Sequence, residues 1–504
     1  MARIAVIGAG MGALAAAARL AVAGHRVVVY ERAATYGGAV GRFERDGFAF
    51  DTGPGLLTLP AVYRDLFLKT GKQPLEECVE LVQVDPTSRH VFPDGTDVSL
   101  PNASRAGVVG ALNTALGSGA GDRWGDFLVR AREAWDRTRR PLLEEPLWPN
   151  WRVLGEREPY PAVPHKRLLR TRRASTLDEI AAWELRDPRL TALLDGHALA
   201  YGLDPRTTPA SGSVLPYMEH AFGTWYVRGG IRELARAVYE RCLARRVEFR
   251  FGTGVTGIVE KNGRAAGVEL ADGTVAEADH VVAGVDPVRL AGLTEHPLQG
   301  DADVRPDRES ACPGRFTVLL ALRGRRETGA VHRTVVHTPD RTAELDYVSF
   351  LTDTDDPVRP TVTVLRPDDP TLRPDDEHES VLLSAAAPAQ ADWAAHDTAE
   401  RFADLLLTAA EAAVPRLRER LLWREVRTPG RTAQETGAED GAVPPPALAA
   451  AHGRFLYPAN TTRFPGLYLV GGWAHPGGGL PHAGMSGALV AGLIVEGPDF
   501  QGSQ

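Results

Sequence analysis

The first residues of this chain admit one reading above others. A β-branched run, Arg3 to Ile7, stops at Gly8-Ala9-Gly10-Met11-Gly12-Ala13, and small and apolar residues then recur at helical spacing to Ala23. Gly24 ends that helix, and Arg26 to Tyr30 supply a second strand. A strand, turn, helix and strand of this size make a parallel crossover. Gly8 permits the tight turn out of the strand, Gly10 lets backbone approach a pyrophosphate, and the small residue at Ala13 lets helix and strand pack closely. The helix start aims free N–H groups and a positive dipole end at phosphate. Glu31 closes the second strand, where a carboxylate accepts from ribose hydroxyls and repels a 2′-phosphate. A glycine turn alone is a weak signal, since any tight loop can carry one. With strand, helix and acid in order it points to an ADP-containing cofactor other than NADP.

The rest of the composition narrows the class. At 504 residues and 43% hydrophobic content, the chain is expected to be globular with two or more domains. A net charge of −8 argues against a nucleic-acid partner, which wants a basic face. Cys78, Cys242 and Cys312 lie far apart and form no CxxC pair, so reduced thiols are expected, with neither disulfides nor a metal site. The apolar run Ile4 to Ile7 is too short for a signal peptide, and no stretch approaches the roughly twenty apolar residues of a membrane span. These features predict a cytoplasmic protein, attached at most to the inner face of the cell membrane.

Periodicity predicts a helix over 230–244, strands over 247–251 and 255–260, a hairpin over 265–276 turning at Asp272-Gly273, and a strand over 280–283. Further strands are expected at 316–322, 334–337, 361–365, 381–384 and 467–470, and a helix over 397–414. Between about 71 and 215 helical patterns (177–184, 188–199) mix with Pro- and Trp-rich links, and the reading is coarse. The fold class is α/β: a discontinuous Rossmann-like FAD-binding domain (1–70, 215–290 and 455–504) with an inserted α+β substrate-binding domain (71–214 and 291–454).

The choice of FAD comes from later glycines. Gly37-Gly38 and Gly47 to Pro54 follow directly on Glu31, as a backbone passing close to more cofactor requires. Far downstream, Gly471 to Pro481 precedes a small-residue helix, Gly484 to Ala491, whose N-terminus could stabilise negative charge on a reduced isoalloxazine. A mobile glycine loop is the plainer alternative for that cluster.

On these stretches, together with Phe222 to Pro287 and Pro465 to Ala491, the chain resembles the bacterial-type phytoene desaturases, carotenoid desaturases of the FAD-dependent amine-oxidase-like superfamily. The run His475-Pro476-Gly477-Gly478-Gly479 with Pro481 and Ser486-Gly487 is the most family-specific piece. The resemblance implies FAD held by Gly8, Gly10, Met11, Gly12, Ala13, Glu31 and Arg32, by Gly38, Ala39, Arg42, Gly53 and Pro54, by Val255, and by Gly472, Trp473, Pro481, Ala483, Gly484 and Met485. It implies an apolar polyene or carotenoid substrate in a tunnel between the domains, desaturated by hydride transfer to the flavin N5, with no metal. Three positions depart from the family: Ala39 and Tyr457 stand where Arg is common, and His482 where Gly is usual. They bear on which substrate fits.

No base is legible. His475 is the first candidate beside the flavin; Glu219, His220, His332 and His482 are other titratable groups, each equally readable as a structural side chain. The basic run Lys166 to Arg173 reads as a solvated face or as a contact for anionic lipid. Alternatives to desaturation are a polyene saturase, isomerase or oxygenase, or an oxidase of another apolar metabolite. A prenyl-binding escort protein would share the architecture without flavin.

Overall fold

Five short runs from distant parts of the chain meet in one parallel sheet, in the order Glu248–Arg250, Arg26–Tyr30, Arg3–Ile7, His280–Ala283, Leu467–Leu469. The structure, a computed structural model, describes residues 1–165, 170–294, 313–349 and 357–502. Strands buried on both faces read as continuous apolar runs, which is why Ile4 to Ile7 and Val281 to Ala283 carry no alternation. The helix Met11–Val22 crosses one face and is buried from Met11 to Ala18. Such complete burial of a small-residue helix follows from the tight approach of the last helix, Leu480–Val495. A Cβ on Gly487 would lie 2.5 Å from the Gly12 carbonyl oxygen, and one on Gly12 would lie 2.8 Å from Gly471 Cα.

On the other face lies an antiparallel meander, Val255–Lys261, Arg264–Leu270 and Val275–Glu277, turning at Gly273 as expected. The helix expected over 230–244 is Arg232–Ala244, and the one expected from Gly484 begins four residues earlier at Leu480.

A second, seven-stranded sheet runs Leu421–Arg427, Gly314–Arg323, His378–Ala387, Val362–Leu365, Arg333–Val336, Ser88–Val91, Asp97–Leu100. Its faces differ because period-two alternation sends neighbours to opposite sides. Phe316, Val318, Leu320, Val381, Leu383 and Val364 join one core with Phe402, Leu406 and Leu407 of the helix Thr398–Ala410. Each such side chain contributes about 1.5–3 kcal/mol on burial. The opposite face is only half covered: Phe48 and Phe50 of the hairpin Arg42–Asp51 sit on Leu319, Ala321 and Leu382. Beyond them a row that is polar except at Val335, namely Thr317, Ser384, Thr363, Val335 and His90, crosses the sheet in register. Helices Pro188–Ala200 and Val214–Phe222 face that row, and the long helix Ala120–Arg139 backs them. Of the basic run, Lys166 to Leu169 lie outside the described residues, and Arg172 lies over the Trp183 ring at 4.4 Å.

Among the described residues no helix is long and apolar enough to cross a membrane. Nor is there a group of three or more His, Cys, Asp or Glu arranged to hold a metal ion.

Candidate functional site

The turn after the first strand is built as a cradle. Gly8 has φ +88° and donates to Tyr30 O at 2.8 Å. Gly10 caps the helix Met11–Val22 with no side-chain hydrogen bond, so the first amides, at Met11, Gly12 and Ala13, have no side-chain cap. A Cβ on Gly10 or on Gly471 would meet nothing within 4 Å, whereas one on Gly12 would strike backbone. Open space over uncapped amides, with close packing behind them, fits a diphosphate. Glu31 is buried; its carboxylate accepts from Ala9 N at 2.7 Å and Ala33 N at 2.8 Å, which fixes it beside the turn. Thr253 N donates to Glu31 O at 2.8 Å, bringing Val255 to the same edge. Arg32 donates to the carbonyls of Gln434 and Glu435 at 3.1 Å each.

The Gly37-Gly38 loop closes onto the turn through Gly37 N→Ala9 O at 2.8 Å. Arg232, which the sequence reading missed, braces it by donating to Val40 O at 2.8 Å and to Tyr36 O and Thr35 Oγ1, with its guanidinium 4.0 Å above the Tyr36 ring. Gly38, Ala39 and Pro54 are exposed on one rim, and a Cβ on Gly53 would lie 2.3 Å from Ala39 O. Arg42 is placed less openly: it donates to Gly229 O at 3.0 Å and pairs with Glu44 at 2.7 Å. The glycines of 47–54 and 223–230 therefore also serve each other, since Gly230 (φ +94°) passes Asp51 where a Cβ would come within 2.7 Å.

The C-terminal glycine cluster meets the cradle. Gly479 (φ +98°) begins the helix Leu480–Val495 without a side-chain cap, with Pro481 in its first turn. Ala483 O and Gly471 abut Gly12, and Gly484 packs on Val62 and Tyr63. Gly472 lies against Pro444, Trp473 near Tyr457 at 6.5 Å, and Met485 is buried among the neighbouring helices. Asn460 holds this corner: its Nδ2 donates to Leu469 O, His475 O and Ser486 Oγ at 3.1, 2.8 and 3.1 Å, and Ser486 Oγ accepts from Gly471 N at 3.0 Å. A lone Asn between loops gave no signal in the sequence.

The titratable candidates separate sharply. His475 is fully buried, its Nε2 donating to Glu145 O at 2.9 Å, and burial pulls its pKa down to about 4. That hydrogen bond ties two loops together, and the ring lines neither of the two cavities described here. Of the candidate histidines, His482 is the one that lines a cavity; it sits in the first turn of the last helix, with a pKa brought down to about 3 by burial and by His475. Glu219 is clasped by Arg333 through both carboxylate oxygens, with His197 Nε2 at 3.9 Å. Burial would raise its pKa, but Arg333 and His197 outweigh that and hold it at about 2. The pairing joins the helix Val214–Phe222 to the strand Arg333–Val336. His220, the next residue, lines neither of those cavities; burial and then Arg105 lower its pKa. His332 packs on Tyr226 at 4.8 Å, away from both.

Two cavities flank the helix Val214–Phe222. One, of about 340 Å³ including its open mouth, is lined by Trp135, Leu142, Leu143, Val214, Met218, Leu448 and His482. The other, of about 820 Å³ including its open mouth, lies over the polar row and contains Glu219, Arg333, His197 and Tyr201. His482 of the first and Tyr201 of the second both approach the start of the last helix, since a Cβ on Gly479 would lie 3.5 Å from His482 Nδ1 and 3.8 Å from the Tyr201 ring.

The model of the flavin-containing amine oxidoreductases matches residues 14–495. The chain belongs to that family. It is an FAD-dependent oxidoreductase, and the cradle, Glu31 and the C-terminal cluster fit the cofactor the family carries. The hydroxyneurosporene desaturase of Rubrivivax gelatinosus is 30% identical over 98% of this chain and 93% of its own. The 4,4'-diapolycopene oxygenase of a Methylomonas species is 27% identical over 98% of each chain. Among solved structures, an oxidoreductase from Methanosarcina mazei shares the fold with TM-score 0.64 at 19% identity, covering 97% of this chain and 99% of that one.

Proposed function

We propose that this flavoprotein desaturates a long apolar polyene of the carotenoid class. The observation that supports the reading is the largely apolar pocket walled by Trp135, Leu142, Val214, Met218 and Leu448, with His482 from the first turn of the last helix at its edge. Full-length similarity to proteins named for carotenoid desaturation and oxygenation supports the substrate class. Residues 1–70, 215–290 and 455–504 are assigned to FAD, and 71–214 and 291–454 to the substrate. Gly8, Gly10, Met11, Gly12 and Ala13 would hold the diphosphate, with Glu31, Arg32 and Val255 at the ribose and adenine end. Gly38, Ala39, Arg42, Gly53 and Pro54 would line the middle, and Gly472, Trp473, Pro481, Ala483, Gly484 and Met485 the ring end.

When bound, FAD supplies a two-electron acceptor for a hydride from an allylic carbon. Trp135, Leu142, Val214 and Met218 exclude water along the chain and align it. The neighbouring proton becomes strongly acidic once the hydride is gone, so a weak acceptor suffices. A neutral His482 ring nitrogen at the cavity wall is that acceptor, in place of His475. Trp148 and Val153, exposed on either side of Arg152, support contact with the membrane in which such a substrate dissolves.

A second reading, oxygenation of a terminal methyl group, is favoured by the name of the Methylomonas relative. Incubating the FAD-loaded protein with liposomes and candidate carotenoids, then recording spectra and masses, separates the two. Loss of a hydrogen pair with longer-wavelength absorbance is the expected result. Gain of oxygen replaces it with the second reading, and no change in any carotenoid removes both.

A further inference from the structure

The larger cavity holds two arginines in different electrostatic states. Arg333 is neutralised by Glu219 and also donates to Thr87 O at 3.0 Å. Arg315, near the start of the strand Gly314–Arg323, is half-buried at the cavity and has no carboxylate partner among the described residues. Its one hydrogen bond there goes from Nη2 to the neutral carbonyl of Ala200. Burial draws its pKa below the ordinary arginine value, opposed only by the Tyr201 hydroxyl. A guanidinium has five N–H donors in a planar fork, and this one lines the cavity with a single protein bond among the described residues. A planar fork of this kind matches the two oxygens of a ligand carboxylate. The adjoining polar row adds the Ser384 and Thr363 hydroxyls as further donors.

We propose that this cavity receives an apolar chain ending in a carboxylate, and that Arg315 binds that carboxylate. The inference rests on the polyene reading and narrows it to a substrate oxidised at one end. With the charged end held at Arg315, the anchor sets how far along the chain the reacting carbon lies. Arg315 acts as a specificity residue without touching the reacting carbon. The chemistry that supplies such a substrate is the oxidation of a terminal methyl or aldehyde carbon to an acid.

The test compares all-trans-retinoic acid with its methyl ester, titrated into the FAD-loaded protein and read by tryptophan quenching. The acid should bind at least tenfold more tightly than the ester. In Arg315→Gln that preference should vanish through weaker binding of the acid, and Arg315→Lys should restore part of it. Sodium acetate at matching concentration should leave the acid bound; displacement by acetate would reveal a free-anion site and overturn the proposal. Equal binding of acid and ester by the unaltered protein, a comparison that needs no variant to fold, overturns it while leaving the polyene reading intact. If neither probe binds, the anchor is lost, and the carotenoid incubation decides the polyene reading separately.

Discussion

At the scale of single residues, Asp51 links the glycine stretches to a measurable pH effect. Its carboxyl accepts from Ile231 N at 2.9 Å and Arg232 N at 3.2 Å, at the start of the helix Arg232–Ala244. Burial pushes its pKa up from 3.8 to about 6, against those hydrogen bonds and the charge of Arg42. A raised acid pKa means that the folded state prefers the proton. Its contribution is complete below about pH 4 and is lost as pH rises through about 6. In Asp51→Asn that loss disappears, so wild-type stability should fall relative to the variant by about 2–3 kcal/mol between pH 4 and pH 7. Chemical denaturation at several pH values checks this, and parallel curves would contradict it.

Among elements, the decisive contact is between the helices Met11–Val22 and Leu480–Val495. Their approach depends on Gly12 and Gly487, where an added Cβ would lie 3.0 Å from Ala483 O and 2.5 Å from Gly12 O. Backbone cannot rotate aside as a side chain can, so Gly487→Ala must separate the helices. It should cost about 1–3 kcal/mol. Because Gly12 also supplies a cradle amide, the variant should retain less FAD, read from the flavin absorbance after gel filtration. Full FAD content with unchanged stability would show that the helices have slack. The small residues of both helices were legible as a pattern, but the extra turn from Leu480 was not. Gly, Pro and His in that stretch read as loop formers, while Gly479 at the cap and Pro481 in the first turn are favourable helix starts.

For the whole molecule, the cradle is assembled from residues 8–13, 31–38, 253–255 and 471–487, and FAD would bridge all of them. Binding to the folded state alone stabilises it by mass action, about 2.7 kcal/mol at a hundredfold excess over Kd. Stripping FAD should therefore lower Tm, and adding it back should restore Tm in a concentration-dependent way. A Tm indifferent to FAD would argue that the segments close without it.

The opening strand, turn and helix, Glu31, the later strand positions and the family itself were readable from the chain, because local periodicity and turn chemistry depend on near neighbours in sequence. The hairpin Arg42–Asp51, the strands Ser88–Val91 and Asp97–Leu100 and the helix Ala120–Arg139 were missed, being short or amphipathic runs whose burial is set by distant partners. Which histidine reaches the cavity, His482 and not His475, was decided only in three dimensions. So was the capture of Glu219 by Arg333, and the isolation of Arg315. Charge state and access depend on what lies within a few ångströms, and in a fold closed by segments more than 400 residues apart that neighbourhood is not written in the local sequence.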